Sequence, residues 1–393
     1  MPQPYSQTYL PLFQSYQDEL LQRLALLVNI DSGTGQVEGI NQVMAHLQQW
    51  LTELDFIVTL HPNDEFGANL VARRQGKGTR KILLVGHVDT VYAAGAVQAQ
   101  PFAIQDGVAH GPGVIDMKSG VVMGLYALRA LLESGFDQFG ELVVVWNNDE
   151  EVGSPGSSAL LQQIAHEVDY GLVLEPSGKP TGLTQARKGA DKYVLEISGV
   201  SAHSGVEPYK GRSAVIELAH KILAIQNLHA LFPGVTFNIT RLSSSETLNI
   251  VPDQASCHIS VRAFSLQALE AAGEALNEVA SSSTLPGTKI KLTCTHGRRP
   301  YEPTPAVSHM LELAKIEGEG VGLKLHAEPK GGVSDANNLM AAGLPTLDTL
   351  GPVGGGMHNL DIEHLRVASL PVRGALVAGL IHRLCLSEPL HKA

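Results

Sequence analysis

Cysteine is scarce: Cys257, Cys294 and Cys385 are the only three in 393 residues, far apart and odd in number. They cannot build a disulfide framework and no two form a CxxC pair, so a reducing compartment is expected. Positive charge is short as well. Lys plus Arg total 28 against 39 Asp plus Glu, a net charge of −11, which argues against nucleic acid or an anionic membrane surface as the main partner. Long apolar runs are missing; the best are broken by Arg23, Arg129 and Arg373, short of the ~18 uninterrupted residues of a membrane helix. The first thirty residues lack a basic start, an apolar stretch and a small-residue cleavage site, and a cytoplasmic protein is therefore expected. Several catalytic signatures are absent too. GPGVID has Asp116 where a dinucleotide fingerprint needs its third glycine, and DMKSG lacks the glycines of a phosphate loop. No GxSxG elbow and no HExxH helix occurs.

What is present is globular material. Hydrophobic residues make up 44% and charged residues 17%, enough for a large core, and at ~150 residues per domain the length suggests two to three domains. Helical periodicity is expected over about 15–30, 38–54, 117–134 and 156–167. It alternates with the short apolar runs FIVTL (56–60), KILLV (81–85), ELVVVW (141–146) and YGLVLE (170–175). Such alternation predicts an α/β domain, a mostly parallel sheet with helices on both faces. Near 188 the pattern changes to strand (192–199), helix (211–226), strands (237–242 and 255–264), helix (266–279) and strand (289–296), a small α+β sandwich. The α/β alternation then returns, with helices at about 306–318, 334–342 and 363–386. The expected organisation is a domain of 1–187 and 298–393 interrupted by an inserted domain of 188–297.

In an open α/β sheet the ligand sits outside the carboxyl ends of the strands, and those positions are rich in ligating groups. KILLV leads into GHVDT, which places His87 and Asp89 two residues apart on one side of an extended segment. That spacing suits a metal ligand whose other ring nitrogen is held by a carboxylate, although a lone His at a strand end is commonly just a hydrogen-bonded residue. ELVVVW leads into NNDEEVGS with Asp149, Glu150 and Glu151. Adjacent Glu residues point in opposite directions, so one can bind metal while the other faces substrate as a base; the bland alternative is a solvated acidic turn. YGLVL ends at Glu175, a carboxylate that is costly there unless paired or metal-bound. Asp116 stands at the mouth of a helix, where a simple cap is the alternative, and His358 comes after a Gly-rich loop. Two His, one Asp and two Glu without cysteine suit zinc or a neighbouring first-row metal. Five ligands exceed one tetrahedral zinc and suit two metals ~3.5–4 Å apart that share a carboxylate.

The segments GHVDTV, GPGVIDMKSG, NNDEEVGS, LEPS, SAHSG and GMHNLDIEH resemble, in order, the motifs of the di-zinc exopeptidase family. That family includes glutamate carboxypeptidase, acetylornithine deacetylase, succinyl-diaminopimelate desuccinylase, peptidase T and aminoacylase. The form HVDTVY followed by GPG-x-x-D looks most like the glutamate carboxypeptidase branch. The resemblance implies two zinc ions per chain, with Co2+ or Mn2+ as substitutes: His87 and Glu175 on one, Glu151 and His358 on the other, Asp116 bridging, with a cis Asp116–Met117 peptide. It implies Asp89 as the group orienting His87 and Glu150 as general base. It further implies a homodimer through the inserted domain, in which His203 reaches the partner's site to stabilise the oxyanion while Arg262 holds the substrate carboxylate and Asn238 lies nearby. GGVSDANN (331–338) departs from the family's Gly-Gly-Thr-Asp-Ala. The expected activity is hydrolysis of an amide bond next to a C-terminal or N-acylated amino acid in a small peptide or N-acyl amino acid. N-acyl amino acid deacylation and a non-catalytic binding protein on the same fold are the alternatives.

Overall fold

The computed structural model describes residues 3–245 and 247–388. Its first unit comprises residues up to 185 together with 303–329 and 334 onward; its second comprises 186–302 with 330–333.

The sheet of the first unit has six strands in the order Ile57–His61, Asn69–Gln75, Glu141–Asn147, Lys81–His87, Tyr170–Val173, Thr346–Leu347. The four strands from Glu141–Asn147 onward run parallel, while Asn69–Gln75 is antiparallel to both of its neighbours. Ile82, Leu83, Leu84 and Val85 of the centre and Leu142, Val143, Val144 and Val145 beside them are fully buried. Burial on both faces is why these strands read as continuous apolar runs rather than alternating ones. The parallel register pairs His87 with Asn147 and Val85 with Val173, so three chain exits lie side by side at one edge.

Helix Ser119–Glu133 covers the sheet with Tyr126 and Leu128 fully buried. The first helix begins at Ser6, nine residues before its periodicity suggested. Tyr9, Phe13 and Tyr16 extend the buried stripe, and a residue remote in sequence completes the end: Glu317 accepts a bond from the Ser6 amide at 2.7 Å, and its carbonyl accepts one from Ser6 Oγ at 2.6 Å. The last helix begins at Ser369 rather than near 363, because His364–Arg366 forms a short strand. At 18 residues with mean hydropathy 1.3, that helix is long and apolar enough to cross a membrane despite Arg373, and 78% of it is buried inside this unit. The three cysteines are free.

The second unit is a four-stranded antiparallel sheet in the order Thr236–Ser244, Gln254–Ala263, Gly189–Ser198, Lys289–Arg298. Helices Ala214–Leu231 and Leu266–Ala280 bury Leu218, Ile225, Leu269 and Leu276 against Tyr193, Leu195, Phe237, Ile259 and Val261. Asn238 and Arg262 alternate with Phe237 and Val261, so they stand on the face away from this core.

One titrating group ties the two ends of the first unit together. His382 stacks on Tyr5 with ring centroids 3.8 Å apart, and its Nδ1 lies 2.6 Å from Tyr9 Oη. Burial, helped by Arg383, pushes its pKa down to about 4. A histidine whose folded pKa is depressed gives full stability above its unfolded value of about 6.5 and loses it as pH falls toward 4. Wild-type protein is expected to lose about 1–2 kcal/mol more than His382→Phe across that window, after discounting for partial exposure. Urea midpoints measured at several pH values check this, and parallel curves would contradict it.

Candidate metal centre

Each ionisable group at the sheet edge is delivered by a specific piece of backbone. His87 is the last residue of its strand and 1% exposed. Its Nδ1 lies 3.0 Å from the Asp89 carbonyl and 3.3 Å from Asp89 Oδ1, which turns Nε2 toward Asp116 Oδ1 at 3.2 Å and Glu175 Oε1 at 3.7 Å. That Nε2 is buried without a hydrogen-bond partner among the described residues. A buried nitrogen that faces carboxylate oxygens and bonds to none of them fits a metal ligand.

Asp116 sits in an irregular turn, Val114–Lys118, ahead of the helix. Its peptide bond to Met117 is cis, as the resemblance implied. The two carboxylate oxygens divide the cluster. Oδ1 faces His87, and Oδ2 lies 3.3 Å from His358 Nε2. His358 Nε2 is also 3.2 Å from Glu151 Oε2. His358 itself lies in the left-handed region, with φ 65°, which lets the Gly-rich loop turn its ring back toward the turn of Asp116. His87 falls within one compact ligand group with Glu150 and Glu175 and within another with Asp116 and Glu151. His87, Asp116, Glu150, Glu151, Glu175 and His358 are thus brought together in the first unit.

Charge dominates this cluster. Burial alone would lower the His87 imidazole, yet Asp116 and Asp89 beside it lift it well above its ordinary range. The bonds to Asp116 and Glu151 lift His358 to about 10. Burial opposes ionisation of Asp116, but His358 and His87 outweigh it and hold the acid well below the usual carboxylate range. Burial pushes Glu151 upward. The acids draw positive charge onto both rings, as a site made for cations does.

Asp89 does more than orient His87. Fully buried, it accepts bonds from the amides of Glu150 at 3.1 Å and Glu151 at 3.2 Å and from Thr34 Oγ1 at 2.7 Å. It therefore fixes the acidic turn as well as the imidazole. Asp149, the third acid of that turn, points elsewhere: its carboxylate accepts from Ser157 Oγ at 2.5 Å and from the Ser157 amide at 3.2 Å. The departure at GGVSDANN is structural in this unit. Ser334 caps the helix Asp335–Ala341, and the buried Asp335 accepts bonds from Asn147 and Ser154.

Sequence reasoning missed Glu363, which it placed in the final helix. Fully buried, Glu363 accepts bonds from the amides of Gly113 at 3.2 Å, Ile115 at 3.0 Å and Asp116 at 3.3 Å, and from Tyr92 Oη at 2.5 Å. It holds the turn that presents Asp116. The signal was present, since Glu363 lies inside GMHNLDIEH, but nothing local says that this strand-flanking acid meets residues 113–116.

The remaining expected site residues, His203, Asn238 and Arg262, lie in the second unit. Asn238 is exposed. Arg262 donates to the Gly331 carbonyl at 3.2 Å. His203 is exposed, and its Nδ1 accepts the amides of Gly205 and Val206, both at 3.2 Å. Two donors on Nδ1 place the proton of the neutral ring on Nε2, leaving that nitrogen as a donor.

Residues 83–383 match the model of peptidase family M20/M25/M40. Carboxypeptidase G2 of Pseudomonas sp. (strain RS-16) is 32% identical over 377 residues, 94% of this chain and 91% of that protein. Acetylornithine deacetylase of Proteus mirabilis (strain HI4320) is 26% identical over 393 residues, 94% of this chain and 97% of that protein. The crystal structure of an aminopeptidase, PepT, from Bacillus cereus ATCC 10987 aligns with a TM-score of 0.78 at 25% identity, covering 94% of this chain and 98% of that one.

Glu363→Gln keeps the volume but offers the three amides one acceptor oxygen instead of two. Metal affinity, read by competition with a chelating dye, is expected to fall about 10–100-fold with little change in melting temperature. Unchanged affinity would show that Glu363 does not position Asp116.

Proposed function

This chain belongs to peptidase family M20/M25/M40 and is a hydrolytic enzyme, and from that premise we propose that it is a zinc-dependent amidohydrolase of the carboxypeptidase type. Its substrate would be a small peptide or N-acyl amino acid, cut at the amide bond next to the terminal amino acid. The observation that carries the reading is the way Asp116 turns one oxygen to His87 and the other to His358. On this reading His87 and Glu175 would hold one ion and His358 and Glu151 the other, with Asp116 shared by both.

When bound, the zinc pair supplies Lewis acidity and brings the pKa of water toward ~7, from ~15.7 in bulk. The chain's own groups do the rest. Glu150, fixed by the bond from its amide to Asp89, takes the proton of the attacking water on its carboxylate and returns it to the leaving nitrogen as the C–N bond breaks. Asp89 holds the His87 ring in place. His203, exposed on the second unit with Nε2–H as a donor, suits stabilisation of the oxyanion. Its delivery by a partner subunit, in a homodimer formed through the inserted domain, belongs to the same proposal. Arg262 offers a fork for the substrate carboxylate that a lysine would not match, with Asn238 on the same sheet face. A cytoplasmic location accords with the three free cysteines.

The similarity to an acetylornithine deacetylase keeps a second reading, deacylation of an N-acyl amino acid, which cleaves the same bond with a different acyl group. Glu150→Gln is expected to retain its metal while turnover falls about 10²–10⁴-fold; near-normal turnover would remove Glu150 as the base. A panel of dipeptides and N-acyl amino acids, scored by the amino acid released, separates the two readings. Absence of turnover across the panel with fully loaded enzyme would favour a non-catalytic binding protein.

A further inference from the structure

Glu175 lies two residues past the end of its strand, Tyr170–Val173, and a second stretch of chain runs beside it. The Leu350 amide donates to the Val173 carbonyl at 3.2 Å and the Gly351 amide to that of Glu175 at 2.9 Å. In return the Ser177 amide donates to the Pro352 carbonyl at 2.9 Å, and the Gly354 amide to that of Ser177 at 3.2 Å. Four backbone bonds thus tie residues 173–177 to residues 350–354. The approach is close: a Cβ at position 351 would stand 2.2 Å from the Leu174 carbonyl oxygen and 2.7 Å from that of Glu175, so the position takes glycine.

The supporting stretch is itself strained. It follows the two-residue strand Thr346–Leu347 and opens on Thr349, fully buried with φ 66°. A β-branched residue holds that left-handed conformation only where its surroundings enforce it. Thr349 Oγ1 meets Thr184 Oγ1 at 2.6 Å, and the larger constraint comes from the last helix. Arg373, 1% exposed, donates from Nη2 to the Thr349 carbonyl and from Nε to the Gly351 carbonyl at 2.9 Å. Its Nη1 lies 3.5 Å from the carbonyls of Pro180 and Gly182. No acid pairs with Arg373 among the described residues, and a guanidinium buried without a counter-ion is costly. These carbonyls are what it has in place of one. A planar fork spans two carbonyls of one strained stretch at once, which the point charge of a lysine does not.

We infer that Arg373 is a positioning residue for Glu175. By clamping the carbonyls of Thr349 and Gly351 it holds residues 349–351 against residues 173–177, and so fixes the carboxylate whose Oε1 lies 3.7 Å from His87 Nε2. The inference rests on the reading of His87, Asp116 and Glu175 as ligands of one ion. A ligand held in place beforehand loses less freedom on binding, so the clamp strengthens metal binding without touching the metal.

Metal affinity of the full chain, read by competition with a chelating dye, tests this in two backgrounds. His358→Ala leaves the ion of His87, Asp116 and Glu175, and Glu175→Ala leaves that of Asp116, Glu151 and His358. Arg373→Lys keeps the charge but not the fork. It is expected to weaken the ion at least 10-fold in the first background. In the second, with Gly354, Gly355 and Gly356 between the clamp and His358, the loss is expected to stay below about 3-fold. Gly351→Ala, which leaves Arg373 intact, should repeat the loss in the first background. Equal losses in both backgrounds would show that Arg373 only supports the fold, and no loss in the first that its clamp does not reach Glu175; either result overturns the inference. Should Arg373→Lys fail to fold, Gly351→Ala and hydrogen exchange of the metal-free wild type decide. Gly351 and Ser177 amides protected like those of the central strands support the clamp, and rapid exchange overturns it. Wild-type protein that takes up no ion at all is a separate failure, that of the metal-centre reading itself.

Discussion

Four carboxylates and two imidazoles converge at the carboxyl edge of one sheet, and most of the local architecture serves to hold that concentration of negative charge. Like charges packed this closely in a buried setting repel strongly. The fold fixes the turns that carry Asp116, Glu150 and Glu151 through backbone amides rather than through basic side chains. Asp89 takes the amides of Glu150 and Glu151, and Glu363 takes those of Gly113, Ile115 and Asp116. These bonds hold the backbone that presents the acids without neutralising them. The remaining charge is left for ions, which is how donor sets for divalent metals differ from ordinary ion-pair networks.

The parallel sheet explains why the cluster exists at all. Strands Lys81–His87, Glu141–Asn147 and Tyr170–Val173 run in the same direction side by side. Their exits deliver His87, the acidic turn after Asn147 and Glu175 to one edge, in keeping with the general position of ligand sites in open α/β sheets. The helix Ser119–Glu133 returns from the same edge and brings the turn of Asp116 with it. Six groups spread over 272 residues of sequence, from His87 to His358, become neighbours because chain direction, not sequence distance, decides where a strand ends.

Much of the site is legible in the residues themselves. Strands buried on both faces announce themselves as ILLV and LVVV, and the short segments at their carboxyl ends hold His87, Asp89, Glu150, Glu151 and Glu175. What stays hidden depends on pairings remote in sequence. Asn69–Gln75, with Arg73 and Arg74 in its run, does not look like an interior strand, yet it pairs on both sides. The first turn of the Ser6–Val28 helix is held by Glu317, and nothing near Ser6 reports this. Glu363 reads as helical because the apolar periodicity of the last segment extends too far toward its start. Its contact with the turn of Asp116 spans 247 positions. Asp149 is the opposite case: a residue of the right type at the right strand end, diverted by a serine eight positions on.

The proposal that this cluster holds two ions, with Asp116 between them, is tested most directly by metal content per chain. Atomic emission on gently purified protein reads it, for the wild type and for His358→Ala. Close to two zinc ions are expected per wild-type chain and close to one in His358→Ala, because His87, Glu175 and Asp116 are left intact. Wild-type protein that stays near zero after incubation with zinc, cobalt or manganese would contradict the two-ion centre, as would a His358→Ala variant that keeps both ions.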